Sequence, residues 1–245
     1  MKNIHSCTLI IAFFVMMSTG LVSCSSDNDT TNSENTNSNS AKLITTLPGN
    51  DANPYDEVGW LYNELFDTYY TNANLGGSVT QIITKVQTIA DASANFNLTK
   101  GSPYHNVSST RVLYLLEHTT TCVNDVISAS SMSTTGKSSL TNFINSFIIF
   151  LENENDCDVI YDKVVAYENG VLLNAALTET DKRIILTTTS ITRHSAFRAR
   201  KKPKKNTDPD WTVLIGNIIA STEGAEYGSA EAATMALVTG IAQND

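Results

Sequence analysis

Cations are scarce in this sequence, histidine and cysteine are scarcer, and no hydrophobic run is long enough to cross a bilayer. Sixteen Lys and Arg stand against 25 Asp and Glu, which argues against nucleic acid as a general partner, because phosphate binding needs an excess of positive charge. Only four histidines are present, and none sits in a nucleophile-elbow or zinc-protease motif. The apolar run Leu9–Met17 falls well short of the roughly 20 residues a membrane span requires. Strong hairpin signals are missing, and the five Pro and 12 Gly fall mostly between segments of helical period, which argues against an all-β fold.

What is present begins at the N-terminus. Met1-Lys2 supplies a charged start, Leu9–Met17 an apolar core, and Gly20-Leu21-Val22-Ser23 a small-residue approach to Cys24. These are the parts of a secretory signal. Leu21-Val22-Ser23-Cys24 resembles the bacterial lipobox. The resemblance implies cleavage after Ser23 and acylation of Cys24, hence a protein held on a membrane of the cell envelope by a multi-chain anchor. Residues 1–23 are then the signal, 24–50 the lipidated Cys24 and a polar tether too poor in apolar residues to fold, and 51–245 a single domain. Cys24-Ser25-Ser26-Asp27 followed by further acid resembles the surface-export signal of Bacteroidota lipoproteins, implying the outer membrane and surface exposure; a plain periplasmic spacer is the alternative.

Loss of the signal removes Lys2 and leaves 15 cations in the mature chain. Its helical stripes are frequent. Val58, Leu61, Tyr62, Leu65, Phe66 and Tyr69 recur at 3.6-residue spacing after Asn53-Pro54, and Val79, Ile82, Ile83, Val86 and Ile89 do so after Ser78. A long helix is expected over 109–129, another after Gly136, and a third from Asp156 that Gly170 closes. Thr178 and Asp181 form a capping arrangement opening a helix toward Phe197. The Thr187-Thr188-Thr189 run leaves a strand over 184–191 as the local alternative. The expected fold is all-α, a helical bundle of about seven or eight helices.

Two features near the C-terminus stand out. Arg193, Arg198, Arg200, Lys201, Lys202, Lys204 and Lys205 place seven of the 15 mature cations within 13 residues. They suit an anionic partner (glycan, lipid headgroup or protein), or the C-terminal end of a helix closed by Pro203. Gly216, Ala220, Gly224, Gly228, Ala232, Ala236 and Gly240 recur every four residues. A spacing of four winds around a helix, so the row reads as two shorter helices breaking near Gly224 or Gly228 and packed closely. Membrane-active or self-associating behaviour is the alternative, opposed by Glu223, Glu226 and Glu231.

Chemistry is thin. Cys122 and Cys157 are the cysteines left in the domain, and an oxidising compartment makes a disulfide between them the default, with two buried thiols as the alternative. A metal site built on His118 and Cys122, four apart on one helical face, has too few ligands. His194 beside the basic cluster suits a cap on helical carbonyls. No cofactor or catalytic set is indicated. Asn53-Pro54-Tyr55-Asp56-Glu57-Val58-Gly59, with Asn63 following, resembles an N-terminal signature of Bacteroidota proteins, Asn-x-Tyr-Asp-x-Val-Gly-x-x-His-Asn. Tyr62 stands where that pattern has His. The resemblance implies kinship and location and carries no activity. The functional expectation is a non-enzymatic, lipid-anchored binding protein, then a small envelope hydrolase acting on glycan or peptide, then a membrane-perturbing or self-assembling factor.

Overall fold

The computed structural model describes residues 48–71, 76–118, 121–153, 156–201 and 210–244, and the backbone alone of 152, 153, 157, 199–201 and 210–215. Cys24 and the rest of the signal and tether up to residue 47 therefore lie outside the described residues. So do Lys202, Lys204 and Lys205, and the side chains of Arg200, Lys201 and Cys157. The chain divides into two units at Lys42, and the second, Leu43–Asp245, contains every described element.

Ten helices are described, and no strand accompanies them among the described residues: α1 Asp56–Thr71, α2 Val79–Ala92, α3 Ala94–Thr99, α4 Ser109–Glu117, α5 Cys122–Ala129, α6 Thr134–Asn153, α7 Cys157–Leu173, α8 Glu179–Lys201, α9 Asp210–Ala225 and α10 Ser229–Asn244. The all-α class is as expected, but the seven or eight helices become ten. The long helix over 109–129 is two, with His118 closing α4 and Thr121 preceding α5. The β-branched Thr run at that point disfavours helix, and the break lets α5 turn against α6 and α9. The short α3 is the other addition, started by Ser93, whose side chain accepts the Phe96 N–H at 3.0 Å. In the opposite sense, α7 runs through Gly170 to Leu173.

Local signals placed the other starts well. Ser78 and Gln81 make a reciprocal capping box at α2, after Gly76 and Gly77 turn the chain at φ of 76° and 122°, where glycine carries no Cβ penalty. Thr178 and Asp181 do the same at α8, with Asp181 N–H donating to Thr178 Oγ1 at 3.1 Å and Thr178 N–H to Asp181 Oδ2 at 2.9 Å. Asp181 also accepts from the Ser133 N–H and Oγ, both at 2.7 Å, so one carboxylate ties the start of α6 to that of α8. Burial pushes its carboxyl up, but the hydrogen bonds outweigh this and leave it below the usual range.

Helices α8 and α10 form the centre. Every residue from Ile184 to Ala196 in α8, and from Ala230 to Ile241 in α10, is buried. A helix buried on all sides has no solvent face, which is why its sequence shows no clean amphipathic stripe. This settles the local alternative at 184–191 in favour of helix. Thr189 and Thr192 return their hydroxyls to the Leu186 and Thr188 carbonyls, and Thr188 reaches Thr222 on α9. No described helix is long and apolar enough to cross a membrane.

Candidate functional site

Two polar regions differ in the balance of their hydrogen bonds. The first is a seam between α1 and α8. Asn53, Asp56, Gly59 and Asn63 fall on one side of α1 and its entry, and each meets α7 or α8. Asn53 Nδ2 donates to Glu168 Oε1 at 2.9 Å and to the Leu186 carbonyl at 3.0 Å. Gly59 N–H donates to Ser190 Oγ at 3.0 Å, and a Cβ on Gly59 would stand 2.7 Å from that oxygen and from His194 Nε2. Only glycine allows this approach. Arg193 Nε donates to both oxygens of Glu168 at 3.1 Å, and its Nη groups reach Asp56 and the Pro48 carbonyl. Asn50 Nδ2 completes the shell of Glu168 at 2.6 Å.

Arg193 is therefore corrected as a surface contact for an anionic partner: its side chain is fully buried, and three backbone or carboxylate partners hold it. Arg198 is also committed inward. It pairs with both oxygens of Asp67 at 2.6 Å, bonds Asn63, and lies 4.5 Å from the centre of the Phe66 ring. Asp67 is itself 68% exposed, whereas the Arg193–Glu168 pair is fully buried, and removing one member of that pair leaves a charge without compensation, at a cost of about 3–5 kcal/mol. Four of the six residues shared with the Asn-x-Tyr-Asp-x-Val-Gly-x-x-His-Asn pattern, Asn53, Asp56, Gly59 and Asn63, thus hold α1 against α7 and α8.

His194 does not cap carbonyls. Its Nδ1 lies 2.6 Å from Asn63 Nδ2, and because the amide donates, Nδ1 accepts and the ring proton sits on Nε2. Nε2 has no hydrogen-bond partner. Burial first, then the Arg193 charge, depress the imidazole to about 3. A base that weak is neutral at physiological pH and serves as packing against Trp60, whose ring meets it edge-on at 4.8 Å.

The small-residue row behaves as two closely packed helices. The break falls at 226–228, between α9 and α10. A Cβ on Gly224 would stand 2.6 Å from Ala232 Cα and from the Glu231 carbonyl oxygen, so the backbones touch there. The metal idea at His118 and Cys122 loses its geometry, since His118 is the C-cap of α4 and Cys122 opens α5. Cys122 is a buried, free thiol raised by desolvation, and its proposed partner Cys157 has its side chain outside the described residues.

The second polar region is a cleft of about 290 Å³ where the loop before α4 meets the α9–α10 turn. Tyr104 anchors the loop by an O–H to Thr234 Oγ1 contact of 3.0 Å and an edge-on packing against Phe96. His105 follows. Its backbone N–H donates to Glu231 Oε1 at 3.0 Å, and its ring packs on Tyr227 with centroids 4.4 Å apart. Across the cleft, Arg111 Nε holds both oxygens of Glu223 at 2.7 Å.

Glu231 is 3% exposed, yet its Oε2 has no hydrogen-bond partner. A Glu in the first turn of a helix ordinarily reaches back to the N–H just before that turn. Here that N–H, on Gly228, is taken by the Gly224 carbonyl at 3.1 Å. The chemistry available is recognition of a donor: a buried acceptor, an exposed aromatic ring and a guanidinium at one mouth. The sequence offered Glu231 and Glu223 only as acids opposed to membrane insertion. Their partners His105 and Arg111 lie more than 100 residues away, beyond any local pattern.

Compared with protein-family models, curated proteins and solved structures, the chain matches none.

Proposed function

We propose that this protein is a non-enzymatic binding protein of the cell envelope, anchored through acyl chains on Cys24 and displayed from the outer membrane on the 24–50 tether. The observation that carries the binding part is the half-satisfied Glu231 in an open cleft. A carboxylate buried with one oxygen unmatched costs stability in the free protein, and a ligand donor that completes it recovers that cost on binding. The anchor part rests on the Leu21-Val22-Ser23-Cys24 resemblance. Intact cells expressing wild type or Cys24→Ala, treated with protease and then used for pulldown, test both parts. Shaving of the wild type with co-recovery of a cell-envelope component is expected, and loss of membrane attachment in the variant. Wild type protected from protease and recovered alone would overturn the display reading.

The second reading, a small envelope hydrolase, draws on the same cleft, where Ser108, His105 and Glu231 share the wall. Ser108 Oγ, however, accepts the Arg111 N–H at the start of α4, and among the described residues no hydrogen bond joins it to His105. Turnover of p-nitrophenyl acetate that disappears in His105→Ala would favour this reading over the first.

A further inference from the structure

Resting on the binding reading above, we infer that the cleft takes a small organic ammonium ion, whose N–H group donates to Glu231 Oε2. Three observations converge. The unmatched atom is a carboxylate oxygen, and a buried carboxylate calls for positive charge as well as a hydrogen bond. Among the described residues no cation meets Oε2: Arg111 is held by Glu223, and the His105 ring nitrogen stands 3.8 Å from the other oxygen, half-exposed. Two glutamates and one arginine line the cleft, so a cation is favoured over an anion.

The body of the ligand would lie along Tyr227, which is 59% exposed and packed at a tilt of 33° against His105. An ammonium beside such a ring gains further from the ring quadrupole. Oε2 is itself out of solvent contact, so a ligand reaches it by displacing part of the cleft wall. A divalent metal fits less well. Both Glu223 oxygens are taken by Arg111, and among the described residues no three His, Cys, Asp or Glu are placed to hold a metal ion. A volume near 290 Å³ sits at the small end for ligand sites. That suits a single amino sugar or amino acid unit better than a long polyamine.

The test is titration calorimetry on the full chain in mild detergent, with paired probes that differ in charge. Glucosamine and L-alaninamide carry the ammonium on two kinds of body; N-acetylglucosamine and N-acetyl-L-alaninamide are their neutral counterparts. Wild type should bind at least one ammonium probe, with its neutral counterpart weaker by about tenfold or more. Which probe binds distinguishes a sugar source from an amino-acid source. Glu231→Gln should lose that binding by a similar factor. Tyr227→Ala, altering an exposed ring, should weaken it about threefold and carries the test should the first variant fail to fold. Binding of the neutral counterpart as tightly as the ammonium probe would overturn the ammonium assignment while leaving a binding cleft. No binding of either ammonium probe, or undiminished binding in Glu231→Gln, would overturn the site, as expected if an ordered water sits on Oε2.

Discussion

Among the described residues two glutamates are buried, Glu168 and Glu231, and the fold treats them in opposite ways. Glu168 lies between α7, α8 and the entry to α1, where Asn50, Asn53 and Arg193 supply donors to both of its oxygens. Glu231 lies at the start of α10 with one donor on one oxygen and none on the other. Packing alone does not explain the difference, because both are within a few per cent of complete burial. A fully matched buried carboxylate specifies which helices meet. A half-matched one is costly to the fold, and the proposed ligand is what would offset that cost.

The largest expected effect is on the matched side. Glu168→Gln removes the charge that holds Arg193 and should cost about 3–5 kcal/mol in urea unfolding. A loss below about 1 kcal/mol would mean that Asp56 alone suffices for Arg193 and that the seam is redundant. Next comes Gly224→Leu, which forces a side chain into the backbone of Ala232 and displaces the first turn of α10, Glu231 included. A cost of about 3 kcal/mol is expected, and unchanged stability would show that the α9–α10 contact is loose.

The seam should also be the acid-sensitive region. His194 is depressed to about 3 in the fold, against its ordinary 6.5 when unfolded. The unfolded chain therefore takes up a proton that the folded one refuses, and stability falls as pH drops below 6.5, with no further loss below about 3. From pH 7 to pH 5 the loss is about 2 kcal/mol. Asp181, lowered in the fold, gives up its share only as pH falls below its unfolded value of 3.8, so it does not contribute to that step. His194→Gln should flatten the slope between pH 7 and 5; an unchanged slope would place the titrating group elsewhere.

Much of the fold was legible locally. Ser78, Asp156 and Thr178 each cap a helix that begins one residue later, and the four-residue row from Gly216 to Gly240 foretold two close helices. Helix count failed over 109–129, since stripe periodicity runs on across both segments while α4 ends at Glu117 and α5 begins at Cys122. The site was hardly legible at all. Arg193 looked like one of seven surface cations because charge clustering is a property of sequence, whereas its burial depends on Asp56 and Glu168, 137 and 25 residues away. Glu231 gave no signal because what distinguishes it is a missing partner, and only the assembled helices show which N–H groups remain.

The measurement that bears most directly on the contrast is urea unfolding of Glu231→Gln beside Glu168→Gln, both at pH 7. Neutralising Glu231 relieves an uncompensated buried charge and leaves Oε1 able to accept from His105, so its stability should stay within about 1 kcal/mol of wild type or rise. Glu168→Gln should lose at least about 3 kcal/mol. Comparable losses in the two variants would mean that Glu231 serves the fold as Glu168 does, and the reason for assigning the cleft to a ligand would be gone.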